Sequence, residues 1–231
     1  MTTQPLSPAP LSPTPRTTPT RGRKRQVSDR HQLMGLLSDA LVAHLGVQAG
    51  AHPVVLPTAF AVDEAGPDDG GTLYLHGSVA AGWLGPALEQ DVCVTVTELD
   101  GLVLARTGFH HSMNYRSAVV IGRPRLVTDL EERRRALDLV VDHMVPGRAA
   151  TLPAVTRKEL AATAVIALPL AEASMKQREG GASLEPGDLE LTGWAGHVPV
   201  GRAASAPVTE DYVSEPVPEP VLRRVRELGR R

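Results

Sequence analysis

Val92-Cys93-Val94-Thr95-Val96-Thr97-Glu98-Leu99-Asp100-Gly101-Leu102-Val103-Leu104-Ala105-Arg106 is the stretch whose reading decides the fold. Val92 to Glu98 alternates β-branched or apolar residues with small polar ones, the pattern of a strand with one buried face. Asp100-Gly101 suits the positive φ angles of a tight turn, so the sequence predicts a hairpin whose return strand runs from Leu102 to Phe109. An antiparallel β structure follows, and its neighbours extend it.

Downstream, His110 to Asn114 is polar, and Tyr115 to Val127 reads as a long strand bent at Gly122 and Pro124. Upstream, Val42–Val47 and Val54–Val62 form a hairpin turning at Gln48–His52, with Pro57 at an edge or bulge because it has no N–H to donate. Asp63–Gly71 is a loop, Thr72–His76 a short strand, and Val79–Gln90 a helix weakened by Gly82, Gly85 and Pro86. Ser28 or Asp29 caps a first helix, with Leu33, Leu36, Leu37, Ala40 and Leu41 at helical spacing. Asp129 caps a second, running to about Val145 with a stripe of Leu130, Leu137, Val140, Val141 and Met144; Pro146-Gly147 stops it. Thr156 and Glu159 form a capping box. Val165–Leu170 is a sixth strand, Gln177–Gly187 a glycine-rich loop, and Trp194–Val200 a final strand.

Short antiparallel strands interrupted by a few helices predict an α+β fold. A barrel fits better than a doubly wound sheet, because strands and helices do not alternate and neither a GxGxxG nor a Walker loop is present. Six prolines before residue 20 and the cluster Arg21, Arg23, Lys24 and Arg25 mark residues 1–27 as a disordered tail. The barrel domain spans 28–202. Residues 203–231, rich in Pro, Glu and Arg, form a loosely ordered tail with a basic helix from Val221.

A net charge of −2 gives no pull toward nucleic acid or an anionic membrane. Aromatic residues are 3% of the chain, too few for a base-stacking platform. A single cysteine, Cys93, forms no internal disulfide and fits the cytoplasm. No apolar run is long enough to span a bilayer. His110-His111 invites a metal reading, but adjacent residues on a strand point to opposite faces and no third ligand stands at ligand spacing, so no metal is expected. Ser112 lacks a nucleophile elbow.

Several segments share an order and spacing with one family: Leu56-Pro57-Thr58-Ala59-Phe60, Leu73-Tyr74-Leu75-His76-Gly77-Ser78, Val94 to Arg106, Phe109 to Ser117, Val145-Pro146-Gly147-Arg148, Lys158 to Thr163, and Trp194-Ala195-Gly196. Together they resemble the flavin-nucleotide-binding branch of the pyridoxamine 5′-phosphate oxidase-like proteins, which includes nitroimidazole-resistance reductases. The resemblance covers about residues 28–200. It implies a six-stranded antiparallel split β-barrel with flanking helices, assembled as a homodimer with FMN sites at the interface. FAD, a deazaflavin or haem are alternative ligands. The cofactor-contacting positions it implies are Pro57, Thr58 and Ala59 at the flavin ring, His76, Gly77 and Ser78 near the phosphate, then Ser112, Asn114, Arg116 and Ser117, and Trp194 at the ring edge. Blander roles compete: His76 as a strand-end residue against Trp83, Arg116 as a surface charge, Trp194 as a lid on the barrel.

The expected activity is flavin-dependent oxidation or reduction of a small molecule, with a non-catalytic flavin- or haem-binding module as the alternative. One departure bears on both. Where relatives carry a cation for the FMN phosphate, this chain reads Ala81-Gly82-Trp83. Arg106, Arg116 and the backbone donors after Ser78 are the candidate substitutes. The substrate-gripping segment of the true oxidases is missing, so vitamin B6 oxidation is not expected.

Overall fold

The computed structural model describes residues 10–12 and 14–229. Its strands are β1 (Gln26–Val27), β2 (Ala43–Ala49), β3 (His52–Thr58), β4 (Phe60–Asp63), β5 (Thr72–Ser78), β6 (Val92–Leu104), β7 (Ser112–Gly122), β8 (Arg125–Leu126), β9 (Thr163–Pro169), β10 (Ala173–Arg178) and β11 (Gly196–Pro199). The helices are α1 (Arg30–Asp39), α2 (Leu84–Glu89), α3 (Leu130–Met144), α4 (Arg157–Ala162) and α5 (Glu219–Leu228). The strands form two antiparallel sheets, β1-β10-β7-β6-β2-β3 with β11 also on β6, and β4-β5-β9-β8.

Three runs of chain pass from one sheet to the other: β3 to β4 at Ala59, β7 to β8 across Arg123-Pro124, and β9 to β10 across Leu170–Glu172. Each run is one long bent strand. With β2, β5 and β6 they make a closed six-stranded ring, in which β7–β8 pairs with β9–β10 on both sides of the bend. Val120 faces Ala173 before the bend and Arg125 faces Ala167 after it. The Ile121 N–H donates to the Glu172 carbonyl at 3.0 Å, so the ladder continues through the corner. This is the expected α+β split barrel.

The core fills the ring. Leu33, Leu36 and Leu37 of α1 are buried with Leu45, Phe60, Leu73, Leu75, Ile166 and Leu168. Asp29 caps α1 by accepting from the His31 N–H, and the Thr156–Glu159 capping box starts α4 as expected. A second layer lies outside the ring under α3, where Tyr74, Val127, Ala136, Val165 and Ala167 are buried together. β5 therefore has both faces covered, Leu73 and Leu75 inward and Tyr74 outward. Arg125 joins α3 to the barrel, donating to Asp68 at 2.8 Å and to Glu132 at 3.0 Å. Glu132 also accepts from the Tyr74 hydroxyl at 3.0 Å. Burial, with Glu132 alongside, pushes the Tyr74 pKa up to about 12.

Several expectations are corrected. Asp100-Gly101 is not a hairpin turn. β6 runs straight through it, with a bulge between Leu99 and Gly101. The Asp100 side chain is held by Arg116, and Gly101 is required because β11 passes close: a Cβ there would sit 3.0 Å from the Val198 carbonyl oxygen. The return strand expected over Leu102–Phe109 is the second half of β6, followed by a turn. Helix α2 occupies only Leu84–Glu89 of the expected Val79–Gln90, the glycines leaving residues 79–83 as a turn. β10 reaches Arg178, inside the stretch read as a loop.

The tails are also more tightly held than their composition suggests. Residues 1–9 lie outside the described residues. From Pro10, the segment expected to be loose lies on the barrel: Leu11 is 4% exposed within the core, Arg16 pairs with Asp91 and Glu172, and β1 adds to β10. Prolines bar a helix but not a path of bends and turns that seats one leucine. The C-terminal helix α5 is docked too, Arg224 donating to the Met144 carbonyl at 2.9 Å. Replacing Leu11 with Ala is expected to lower stability by about 2 kcal/mol or more, the cost of emptying a buried leucine site. Urea denaturation measures this, and a loose segment would give no change.

Candidate functional site

On β5, residues 74, 76 and 78 share the face turned away from the barrel interior. Tyr74 is covered by α3. One step along, His76 emerges past that cover into a cavity of about 540 Å³. The helix wall of this cavity is Leu137, Val140, Val141 and Met144, spaced i, i+3, i+4 and i+7 on α3. The remaining wall is mainly the apolar stretch Leu152 to Val155, with the carboxylates Asp138 and Glu159 also lining it. Nδ1 of His76 is shut off from solvent and has no hydrogen-bond partner. Burial holds the imidazole below its ordinary pKa, so the ring is neutral at neutral pH with a lone pair to offer.

His76 also borders a smaller cavity of about 170 Å³ formed by Leu56, Pro57, Thr58, Gly77 and Trp83. Pro57 and Thr58 end β3, an edge strand with no neighbour on its outer side among the described residues. Pro57 faces His44 across the ladder. Gly77 is fixed by the indole over it: a Cβ there would lie 2.7 Å from Cζ2 of Trp83. The structure thus brings together Pro57, Thr58, His76 and Gly77. Ala59 follows at the bend. Ser78 turns the chain, its hydroxyl accepting from the Ala80 N–H at 3.2 Å and its carbonyl from the Ala81 N–H at 3.0 Å.

The other expected positions do not join this group within one chain. Ser112, Asn114, Arg116 and Ser117 lie on β7, which belongs to the other sheet from β5. Asn114 is buried and donates to the Gly180 carbonyl at 3.1 Å. Ser117 pairs with Thr97 and Lys176 in the ladders. Arg116 is committed to its own chain: Asp100 takes two bonds at 3.0 and 3.1 Å, and Asp39 takes one at 2.9 Å. These carboxylates hold its pKa above the ordinary arginine value. Trp194 is 66% exposed. Arg106 is likewise bound to the carbonyls of Asp188, Leu189 and Gly193. Both arginines are thus engaged within their own chain, and the first backbone donors after Ser78 are taken up, Val79 N–H by the Ala162 carbonyl and those of Ala80 and Ala81 by Ser78.

Sequence reasoning offered Trp83 as a packing partner of His76 but missed its place over Gly77, and it missed the cavity under α3. The Leu137–Met144 stripe was legible, but its spacing is the same whether a helix face packs or lines a space. The apolar run Leu152-Pro153-Ala154-Val155, unusual for a loop, was the signal available.

A bent six-stranded ring with a helix-covered cleft at one strand end defines a split-barrel protein. The chain belongs to the pyridoxamine 5′-phosphate oxidase family, whose model matches residues 29–177. Among solved structures it is similar to the flavocytochrome Anf3 from Azotobacter vinelandii, at 33% identity over 93% of this chain and 98% of that one, with a TM-score of 0.85. It is also similar to the FAD- and haem-binding protein from Mycobacterium smegmatis, at 36% identity over 89% of this chain and 97% of that one, TM-score 0.79. A candidate 5-nitroimidazole antibiotic resistance protein from Bacteroides thetaiotaomicron shares the fold at 23% identity over 65% of this chain and 85% of that one, TM-score 0.54. No curated protein matches.

Gly77→Ala is expected to cost about 1–3 kcal/mol through overpacking, and Trp83→Leu in the same chain to recover most of it. Thermal melts of the single and double variants measure this coupling. A second expectation concerns pH. Burial lowers the pKa of both His76 and His143. The unfolded chain therefore takes up more protons as pH falls below about 6.5, so stability is full above that value and is lost as pH drops through the folded-state values. Urea midpoints at about pH 7.5 and about pH 5 read this loss, and His76→Gln is expected to reduce it.

Proposed function

We propose that this protein is a flavin-dependent oxidoreductase that also carries haem, acting on a small molecule as a homodimer in the cytoplasm. The observation that carries the reading is His76: an imidazole whose pKa is lowered by burial, with an unpartnered, enclosed Nδ1, lining a cavity whose walls are mainly apolar. The two similar structures reported above at more than 30% identity are described as a flavocytochrome and as a protein binding FAD and haem.

The residues present fit those groups. Leu137, Val140, Val141, Leu152 and Val155 offer the apolar walls a porphyrin needs, and His76 would hold its iron through Nε2. Pro57, Thr58 and Ala59 offer the edge of β3 to a flavin ring, with Gly77 and Trp83 behind it. When bound, the flavin supplies hydride and electron chemistry and the haem supplies one-electron iron chemistry. The chain itself orients the groups and, by burial, keeps the His76 lone pair free of a proton. Among the described residues no lysine or arginine lines either cavity. That favours FAD, whose phosphates can lie away from this point, over FMN, whose phosphate would meet no cation. Ser112, Asn114, Arg116, Ser117 and Trp194 would approach the site only from a second copy. Phe109, 91% exposed, and Trp194, 66% exposed, are suited to such an interface.

Purified full-length protein is expected to carry, or take up, both a flavin and a haem Soret band, and NAD(P)H is expected to reduce the flavin. Mass spectrometry of the released flavin separates FAD from FMN and a deazaflavin. His76→Ala is expected to lose the Soret band and keep the flavin. A protein that takes up neither chromophore overturns the reading. One that binds both but is never reduced is the non-catalytic module instead.

A further inference from the structure

The α3 stripe ends in a sulfur atom. Leu137, Val140, Val141 and Met144 face one cavity, and Met144 is the sole thioether among its lining residues. His76 enters that cavity from β5 and Met144 from the last turn of α3, so the two donors belong to different elements. Met144 is 45% exposed, more than a side chain placed only to fill the core. Its backbone is nevertheless held firmly. Arg224 of α5 donates through Nε to the Met144 carbonyl at 2.9 Å and through Nη2 to the His143 carbonyl at 3.3 Å. Arg223 donates to the Pro146 carbonyl at 2.8 Å.

These contacts give α5 a local purpose, to fix the end of α3. Helix α5 lies beyond residue 177, where the match to the family model ends, in a chain of which the flavocytochrome covers 93%. The clamp therefore stands outside the part of the chain that the family model matches, and it holds the turn of α3 that carries Met144. Imidazole and thioether are both neutral donors of the kind iron accepts in a low-dielectric site. The cavity's other donors, the Asp138 and Glu159 carboxylates, are hard, charged ligands poorly suited to that role.

We propose that Met144 is the second axial ligand, with His76, of a haem held in the cavity under α3. The proposal rests on the haem reading above and goes beyond it. A His/Met pair closes both axial positions and raises the iron's reduction potential. Such a centre passes electrons and leaves no open position for oxygen.

The test uses the full-length protein reconstituted with hemin, read by optical and electron paramagnetic spectra in the ferric state. The wild type is expected to be low-spin and six-coordinate, with the weak near-infrared band of a thioether–iron bond. Met144→Leu is expected to keep hemin, lose that band, turn high-spin and show a lower reduction potential. Met144→His is expected to restore the low-spin state without the near-infrared band, which a merely structural role for Met144 would not produce. Met144→Leu spectra identical to the wild type would overturn the Met144 assignment and leave the haem reading standing. Wild-type protein that takes up no hemin, behaving like His76→Ala, would overturn the haem reading and this proposal with it.

Discussion

The barrel depends on two long strands bending together. β7–β8 turns at Arg123-Pro124 and β9–β10 turns at Leu170–Glu172, and the bends face each other, so pairing persists through the corner. If only one strand bent, ladder bonds such as that from Ile121 to Glu172 would be left unmade at the corner, at about 0.5–1.5 kcal/mol for each bond. Because both bend, β5 and β9 are carried over to close the ring, and their outer faces are left for α3 to cover. The cleft at His76 is a by-product of that cover. α3 is long enough to shield Tyr74, and the next outward residue on β5 meets the cavity.

The polar groups around this frame have separate tasks. Arg125, Asp68, Glu132 and Tyr74 fasten the helix to the ring. Arg116, Asp39 and Asp100 fasten α1 to the bulge in β6. Burial raises the pKa of neighbouring Glu98, with Arg202 and Arg116 opposing the shift. Arg202 also donates to the Asp39 carbonyl, so the same cluster anchors the start of the C-terminal segment. Partnered arginines of this kind make poor phosphate receptors, since a ligand would first have to displace a carboxylate already in place.

Much of the fold could be read from the chain. Asp29, Asp129 and the Thr156–Glu159 pair announced their helices because a cap is a local hydrogen bond between residues three or fewer apart. The alternation in Val92–Glu98 announced a strand. What failed was non-local. Asp100-Gly101 has the chemistry of a turn, yet the glycine answers to β11, nearly a hundred residues later in sequence. Leu11 sits in a proline-rich stretch whose composition says loose, and its burial depends on a slot made by other elements. At the site, His76 and Gly77 were legible through the family pattern, whereas the reason for Gly77 was not, because the indole above it comes from the very segment where the pattern breaks.

The alternation along β5 has a consequence for how this chain can change. His76 and Gly77 lie on opposite faces of one strand, one turned to the cavity and one to Trp83. Insertions or deletions in the 64–71 loop leave that assignment alone, since pairing with β4 and β9 sets the register. A single-residue insertion within Thr72–Leu75 would exchange the two faces, sending the imidazole into the barrel and a glycine to the cavity. Length variation among natural relatives should therefore be common in the loop and absent from the strand beside it, with the reading frame of one β-strand inherited as strictly as any side chain.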